Sequence, residues 1–148
     1  MKKNILLMLI VINIAGCNGM PQPSTSTDYV QAQGKVIVEK KDYTMRIGDF
    51  EWKEGNFEAR KISETNIYDL ADRFNTVEVE KGDKIKIEIE QNPSSIIVEQ
   101  WNEDGTIVAV ELIGNEITLP SKEGYYIYEV IVEWNEGKIN YVFDINIK

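Results

Sequence analysis

A mainly β chain, folded as an antiparallel β-sandwich with one short helix, is the fold class this sequence predicts, and three observations predict it. Tyr126, Tyr128, Val130, Val132 and Trp134 alternate with polar residues. After the turn Asn135-Glu136-Gly137 the same alternation resumes in Ile139, Tyr141, Phe143, Ile145 and Ile147. Two long strands therefore each present one apolar face, which has to be covered by a second sheet. Ile85, Ile87 and Ile89 repeat the two-residue period between Lys84, Lys86, Glu88 and Glu90. One stretch, 66–74, breaks to the helical period, with Ile67, Leu70, Ala71 and Phe74 at i, i+3, i+4 and i+7.

The chain is 148 residues long, and its first part has another character. Lys2 and Lys3 precede an apolar run from Ile5 to Ile12, which is followed by Ile14-Ala15-Gly16-Cys17. A basic start, a short apolar stretch and small residues before a cleavage point are the order of a secretory signal. The run is about half the roughly 20 residues a membrane span needs, and Asn13 interrupts it. Ending on Ile-Ala-Gly-Cys, this segment resembles the lipobox of bacterial lipoproteins. The resemblance implies that residues 1–16 are removed, that Cys17 is acylated, and that the protein is anchored by lipid at the outer face of the cytoplasmic membrane. Residues 17–34 then read as the lipidated cysteine and a tether. Asn18 to Gly34 is rich in Pro, Ser, Thr, Gln and Gly, lacks apolar periodicity, and reaches about 60 Å when extended.

Residues 35–148 are expected to form the sandwich. Val36 to Val38 reads as a first edge strand. Tyr43 to Ile47 alternates, Gly48-Asp49 interrupts it, and Phe50 to Trp52 resumes. Glu54-Gly55-Asn56 is a turn signal before Phe57 to Ile62. The helix over 66–74 has Thr65 or Asn66 as its N-cap and Asp69 in its first turn. It is too short to be stable alone and must pack on a sheet, crossing between two strands. Val77 and Val79 begin the strongly alternating part, and Lys81-Gly82-Asp83 turns the chain. Asn92-Pro93-Ser94 closes the isoleucine strand, Ile96 to Trp101 is the next, and Asn102-Glu103-Asp104-Gly105 is a hairpin loop. Ile107 to Leu112 returns, and Gly114-Asn115 turns into Ile117 to Leu119. Seven or more strands result.

From about Thr76 onward, the Gly82-Asp83 strand start, the Trp101 strand, the segment Pro120 to Tyr126 and the final hairpin resemble an immunoglobulin or fibronectin type III sandwich. That resemblance implies a tyrosine corner at Tyr125 or Tyr126, just after Gly124. The chain as a whole resembles small Gram-positive lipoproteins.

Composition narrows the function. Sixteen Lys and Arg face 25 Asp and Glu, a net charge of −9, which becomes −11 when Lys2 and Lys3 leave with the signal. Nucleic acid needs a basic footprint and is excluded as a partner, and headgroup attraction does not hold the chain at a membrane. Histidine is absent, which removes Ser-His triads and most catalytic zinc sites. The carboxylates mostly alternate with apolar residues, as on a solvated sheet face, so an enzyme is not expected and no cofactor or metal is assigned.

Two candidate binding sites remain. Asn102, Glu103 and Asp104 are the best cluster of loop oxygens for calcium, with Asp42, Asp49 and Glu51 behind them, although Asn-Glu-Asp-Gly is primarily a turn sequence. Trp52, Trp101 and Trp134 are candidates for stacking on a sugar. Trp134 and Trp101 fall on core faces, and Trp52 stays the open candidate. The expectation is thus a membrane-anchored, non-catalytic binding or interaction module. Its alternatives are an inhibitor or immunity-type lipoprotein that neutralises a basic wall-active protein, and a carbohydrate-binding sandwich that takes cell-wall glycan.

Overall fold

The computed structural model describes residues 32–62 and 66–148; the signal, Cys17, most of the tether and Thr65 lie outside them. Two sheets face each other. The five-stranded sheet has the order β2 (Lys41–Thr44), β1 (Gly34–Val38), β6 (Lys84–Ile89), β10 (Glu116–Thr118), β9 (Leu112–Ile113). The seven-stranded sheet runs β4 (Phe57–Lys61), β3 (Arg46–Glu54), β12 (Gly137–Ile147), β11 (Gly124–Glu133), β7 (Ser95–Trp101), β8 (Ile107–Val110), and β5 (Val77–Val79) pairs with β12. With the helix α1 (Ile67–Ala71), this is an immunoglobulin-like antiparallel sandwich with one short helix.

The core lies where the alternation put it. β11 and β12 pair in unbroken register from Gly124↔Ile147 to Glu133↔Lys138. Their inner residues Tyr128, Val130, Val132, Ile139, Tyr141, Phe143 and Ile145 are fully buried against Val36, Ile85, Ile87 and Ile117 of the other sheet. The Tyr128 and Phe143 rings stack at 4.9 Å, and Phe74 meets Phe143 edge-on at 6.4 Å. The hairpin turns where Trp134 and Gly137 exchange backbone hydrogen bonds. A Cβ on Gly137 would run into the Glu51 carbonyl oxygen and lie 2.9 Å from the Trp52 Cα, so only glycine lets β3 close on β12 there. The Tyr126 hydroxyl donates to the Lys122 carbonyl at 2.9 Å, the bond a tyrosine corner makes.

Five expectations change. The folded domain starts before Lys35: Ala32 is buried, its carbonyl accepts from the Tyr141 hydroxyl at 2.8 Å, and Gly34 opens β1. β1 is not an edge strand, because β2 covers one side and β6 the other. Ile107 to Leu112 is two strands in different sheets, the chain crossing between them at Glu111. β5 runs parallel to β12, a pairing between distant segments. Finally, Gly48-Asp49 does not end a strand. β3 continues through it as a β-bulge, with two residues opposite the single Asn140, between the pairs Ile139↔Phe50 and Tyr141↔Ile47.

The helix sits on the outer face of the seven-stranded sheet. Asn66 is its N-cap, its side chain accepting from the Asp69 N–H at 3.0 Å. Ile67 and Ala71 cover Ile127 of β11 and Val142 of β12, with Leu70 and Trp101 packed alongside. Phe74 continues past the helix into the main core. The outer face is therefore apolar at its centre, and five residues of helix are enough to roof part of it.

Candidate functional site

The edge of that roof makes the site. A cavity of about 270 Å³ opens between α1 and the sheet, lined by Gly48 and Asp49 of the bulge, Asn66, Tyr68 and Leu70 of the helix, and Trp101, Glu129 and Asn140 of the strands. Gly48 is buried, and a Cβ there would meet Leu70 Cδ1 at 3.2 Å, so the small residue lets the helix come down close to β3. The bulge places Asp49 opposite Asn140 at the rim.

The groove combines an aromatic wall with fixed polar groups. Trp101, partly exposed, donates its indole Nε1–H to Glu129 Oε2 at 3.2 Å, and Asn140 Nδ2 donates to Glu129 Oε1 at 2.8 Å. Both carboxylate oxygens are thus held. Tyr68 is 39% exposed and its hydroxyl donates to the Asn102 carbonyl at 3.3 Å, which ties the helix to the β7–β8 loop. Burial pushes the Glu129 carboxyl above the ordinary glutamate range, Glu99 and Asp49 adding to the push while the Asn140 and Trp101 donors oppose it. Apolar walls, a few convergent polar groups and a displaced carboxyl are the marks of a ligand site.

A second carboxylate on the same outer face is buried. Asp144 of β12 is 1% exposed, its Oδ2 accepts from the Tyr125 hydroxyl at 2.9 Å, and its Oδ1 has no hydrogen-bond partner. Burial raises it as well, against hydrogen bonds from Thr76 and Tyr125 that lower it, with Asp72 adding to the rise. Strand alternation alone places both acids on a solvated face, and the fold covers them. In the folded state Asp144 and Glu129 hold protons more tightly than in the unfolded chain, so between the unfolded values near 4 and their raised native values stability falls as pH rises. Thermal melts should therefore show the midpoint climbing as pH drops through the raised native values toward the ordinary carboxylate range near 4. Asp144→Asn with Glu129→Gln should flatten that climb; an unchanged slope would assign it to general charge repulsion instead.

The residues singled out from sequence fall elsewhere. Trp52 is 8% exposed in the main core, its ring 5.4 Å from that of Trp134 and edge-on to it, so it is not a stacking platform. The assignments of Trp52 and Trp101 are exchanged: β7 turns Val98 inward and Trp101 to the outer face. Asn102, Glu103 and Asp104 form the β7–β8 turn. Asp104 Oδ1 accepts from the Thr106 N–H at 2.9 Å and from its hydroxyl at 2.6 Å, and Asn102 Oδ1 accepts from Gln100 Nε2 at 2.9 Å. Those hydrogen bonds hold the Asp104 carboxyl below its usual range. The oxygens close the turn on itself, and no group of three or more metal-binding side chains gathers among the described residues. Glu129, Asn140 and Tyr68 were missed as a set, since three separate elements contribute them.

No family model matches the chain, and no curated protein matches it. Two solved structures are similar in fold. One is the catalytic domain of an LPMO from Listeria monocytogenes, 16% identical over 67% of this chain and 80% of that one, with a TM-score of 0.44. The other is a CBM33 from Bacillus amyloliquefaciens in complex with Cu(I), 13% identical over 53% of this chain, with a TM-score of 0.39; the match spans 58% of that chain. The Listeria structure is a catalytic domain, and the expectations of a non-catalytic module and of a chain that is not an enzyme are withdrawn.

Proposed function

We propose that this protein is a carbohydrate-binding β-sandwich held by lipid on Cys17 at the outer face of the cytoplasmic membrane, where its groove takes cell-wall glycan. The observation that carries the reading is the groove beside α1. Trp101 and Tyr68 supply aromatic surface, while Glu129, Asn140 and Asp49 supply the hydrogen-bonding groups a polyhydroxylated ligand needs. The notion of an inhibitor of basic proteins rests on net charge alone, and net charge bears on solubility as much as on partners.

Co-sedimentation with insoluble wall polysaccharide tests the reading. The protein should pellet with the polysaccharide and be released by soluble fragments of it. Remaining in solution while binding a basic protein such as lysozyme, at a rate that falls with added salt, would replace this reading with the inhibitor.

The anchor rests on Lys2, Lys3, the Ile5 to Ile12 run and Ile14-Ala15-Gly16-Cys17. Metabolic labelling with a fatty-acid analogue should mark the wild type and leave Cys17→Ser unmarked. Equal labelling of the two would remove Cys17 as the acceptor.

A further inference from the structure

β8 is a terminal strand of the seven-stranded sheet, with β7 on one side and, among the described residues, no strand on the other. The other terminal strands are guarded. β4 carries Glu58, Arg60 and Lys61, β2 carries Lys41 and Asp42, and β9 is two residues long. Charge and shortness are what keep a sheet edge from pairing. β8, Ile107-Val108-Ala109-Val110, has neither charge nor proline. Ile97, Ile107 and Val108 are each about half exposed beside it.

The ladder shows which backbone groups are free. The Asn102 N–H donates to the Thr106 carbonyl at 2.9 Å, and the antiparallel register continues through Trp101↔Ile107, Gln100↔Val108, Glu99↔Ala109 and Val98↔Val110. Hydrogen-bonded and non-hydrogen-bonded pairs alternate. Thr106, Val108 and Val110 therefore bond to β7, whereas the N–H and C=O groups of Ile107 and Ala109 point away from it. Such a row, about 13 Å long, is a template on which an extended segment adds a strand.

Charge around this edge selects the segment. From Ile87 to Ser121 the chain has seven acids and no lysine or arginine, while its other residues hold 18 acids against 16 bases. Glu103 and Asp104 stand exposed just before β8, Glu111 stands exposed just after it, and Glu99 lies opposite Ala109. Lys122 lines the cavity beside Glu103 and Asp104, and Glu123 lines it too, so that end stays acidic. An antiparallel second copy would bring its Glu111 end against Glu103 and Asp104, acid on acid. An uncharged strand with basic ends meets both acidic ends favourably.

We infer that the free edge of β8 docks an extended segment of another protein, apolar on the face that meets Ile107 and flanked by Lys or Arg, as an added strand of the seven-stranded sheet. Net charge alone would draw any basic surface; the outward N–H and C=O groups call for an extended one. The charged ends contribute modestly, roughly fivefold to tenfold together for exposed pairs at low salt, and salt screens them.

The test is to titrate the nitrogen-15-labelled protein with the end-blocked peptide Lys-Thr-Val-Thr-Val-Thr-Lys and with its twin ending in Glu. The amides of Ile107 and Ala109 should shift in a saturable way with the Lys-ended peptide. The Glu-ended peptide should bind about fivefold or more weakly at low salt, and the margin should close as salt is added. Ala109→Pro deletes an outward N–H, a change an edge strand tolerates where that group faces solvent, and should abolish the shifts. Ile107→Lys keeps every backbone group and should shrink the margin between the two peptides. Equal binding of the two peptides by the wild type, shifts that survive Ala109→Pro, or binding of neither peptide would overturn the inference. Shifts of Ile107 and Ala109 that grow with protein concentration alone would overturn it in favour of a second copy at this edge.

Discussion

Phe143→Ala should lower the free energy of unfolding by about 3–5 kcal/mol, the range for removing a buried aromatic side chain. Phe143 is fully buried at the middle of β12, stacked on Tyr128 and met edge-on by Phe74. The ring joins the long hairpin to the segment that follows α1, so the vacated space would be bounded by two large rings that cannot collapse into it without leaving their own positions. A domain of this size is stable by only about 5–15 kcal/mol, which puts the variant near the edge of folding. Chemical denaturation measures the loss through the midpoint. Ile113→Ala, at a side chain 67% exposed on the edge strand β9, should stay within about 0.5 kcal/mol of wild type. A loss below 1 kcal/mol at Phe143 would mean that the two sheets are not packed through this ring.

Trp101→Ala should abolish glycan binding within the measurable range, a loss of about 2 kcal/mol or more, as for an aromatic anchor at the centre of a contact. Trp101 has two roles. Its ring packs beside the cluster of Ile67, Ala71, Ile127 and Val142, and its indole N–H fixes the Glu129 carboxyl. The alanine variant therefore also loosens α1 on the sheet. Trp101→Phe separates the roles, since it keeps an apolar ring under the helix and deletes only the donor to Glu129. It should melt close to wild type and bind more weakly than wild type but more tightly than the alanine variant. Wild-type affinity in Trp101→Ala would take the ligand away from this groove.

Sequence alternation located the core of β11 and β12 because every second residue over ten positions is large and apolar, a phase that admits one assignment. β7 is harder. Ile96, Ile97 and Val98 are consecutive apolar residues, which hide the phase, and the sequence alone allowed Trp101 either face. Once Val98 is known to point inward, Trp101, three residues on, has to point outward. Trp52 shares its parity with Phe50, and both face the inner side, but the bulge at Gly48-Asp49 broke the count from Ile47. Asp144 and Glu129 looked like surface acids because the strand pattern says only which face a residue occupies. It does not say that α1 and Thr76, Tyr125 and Trp101 come to cover that face. The parallel pairing of β5 with β12 has no local signal at all, since it joins segments far apart in sequence.

Titrating the purified protein, labelled with nitrogen-15, with a soluble wall oligosaccharide tests the central claim most directly. The chain has three tryptophans, and their indole N–H groups report from two places: those of Trp52 and Trp134 from inside the core, and that of Trp101 from the groove. The Trp101 indole resonance, together with the backbone amides of Asp49 and Asn140, should shift in a saturable way while the Trp52 and Trp134 indoles stay in place. Saturable shifts confined to another surface, or no shift at Trp101 under conditions where the glycan binds, would contradict the assignment of this groove as the carbohydrate site.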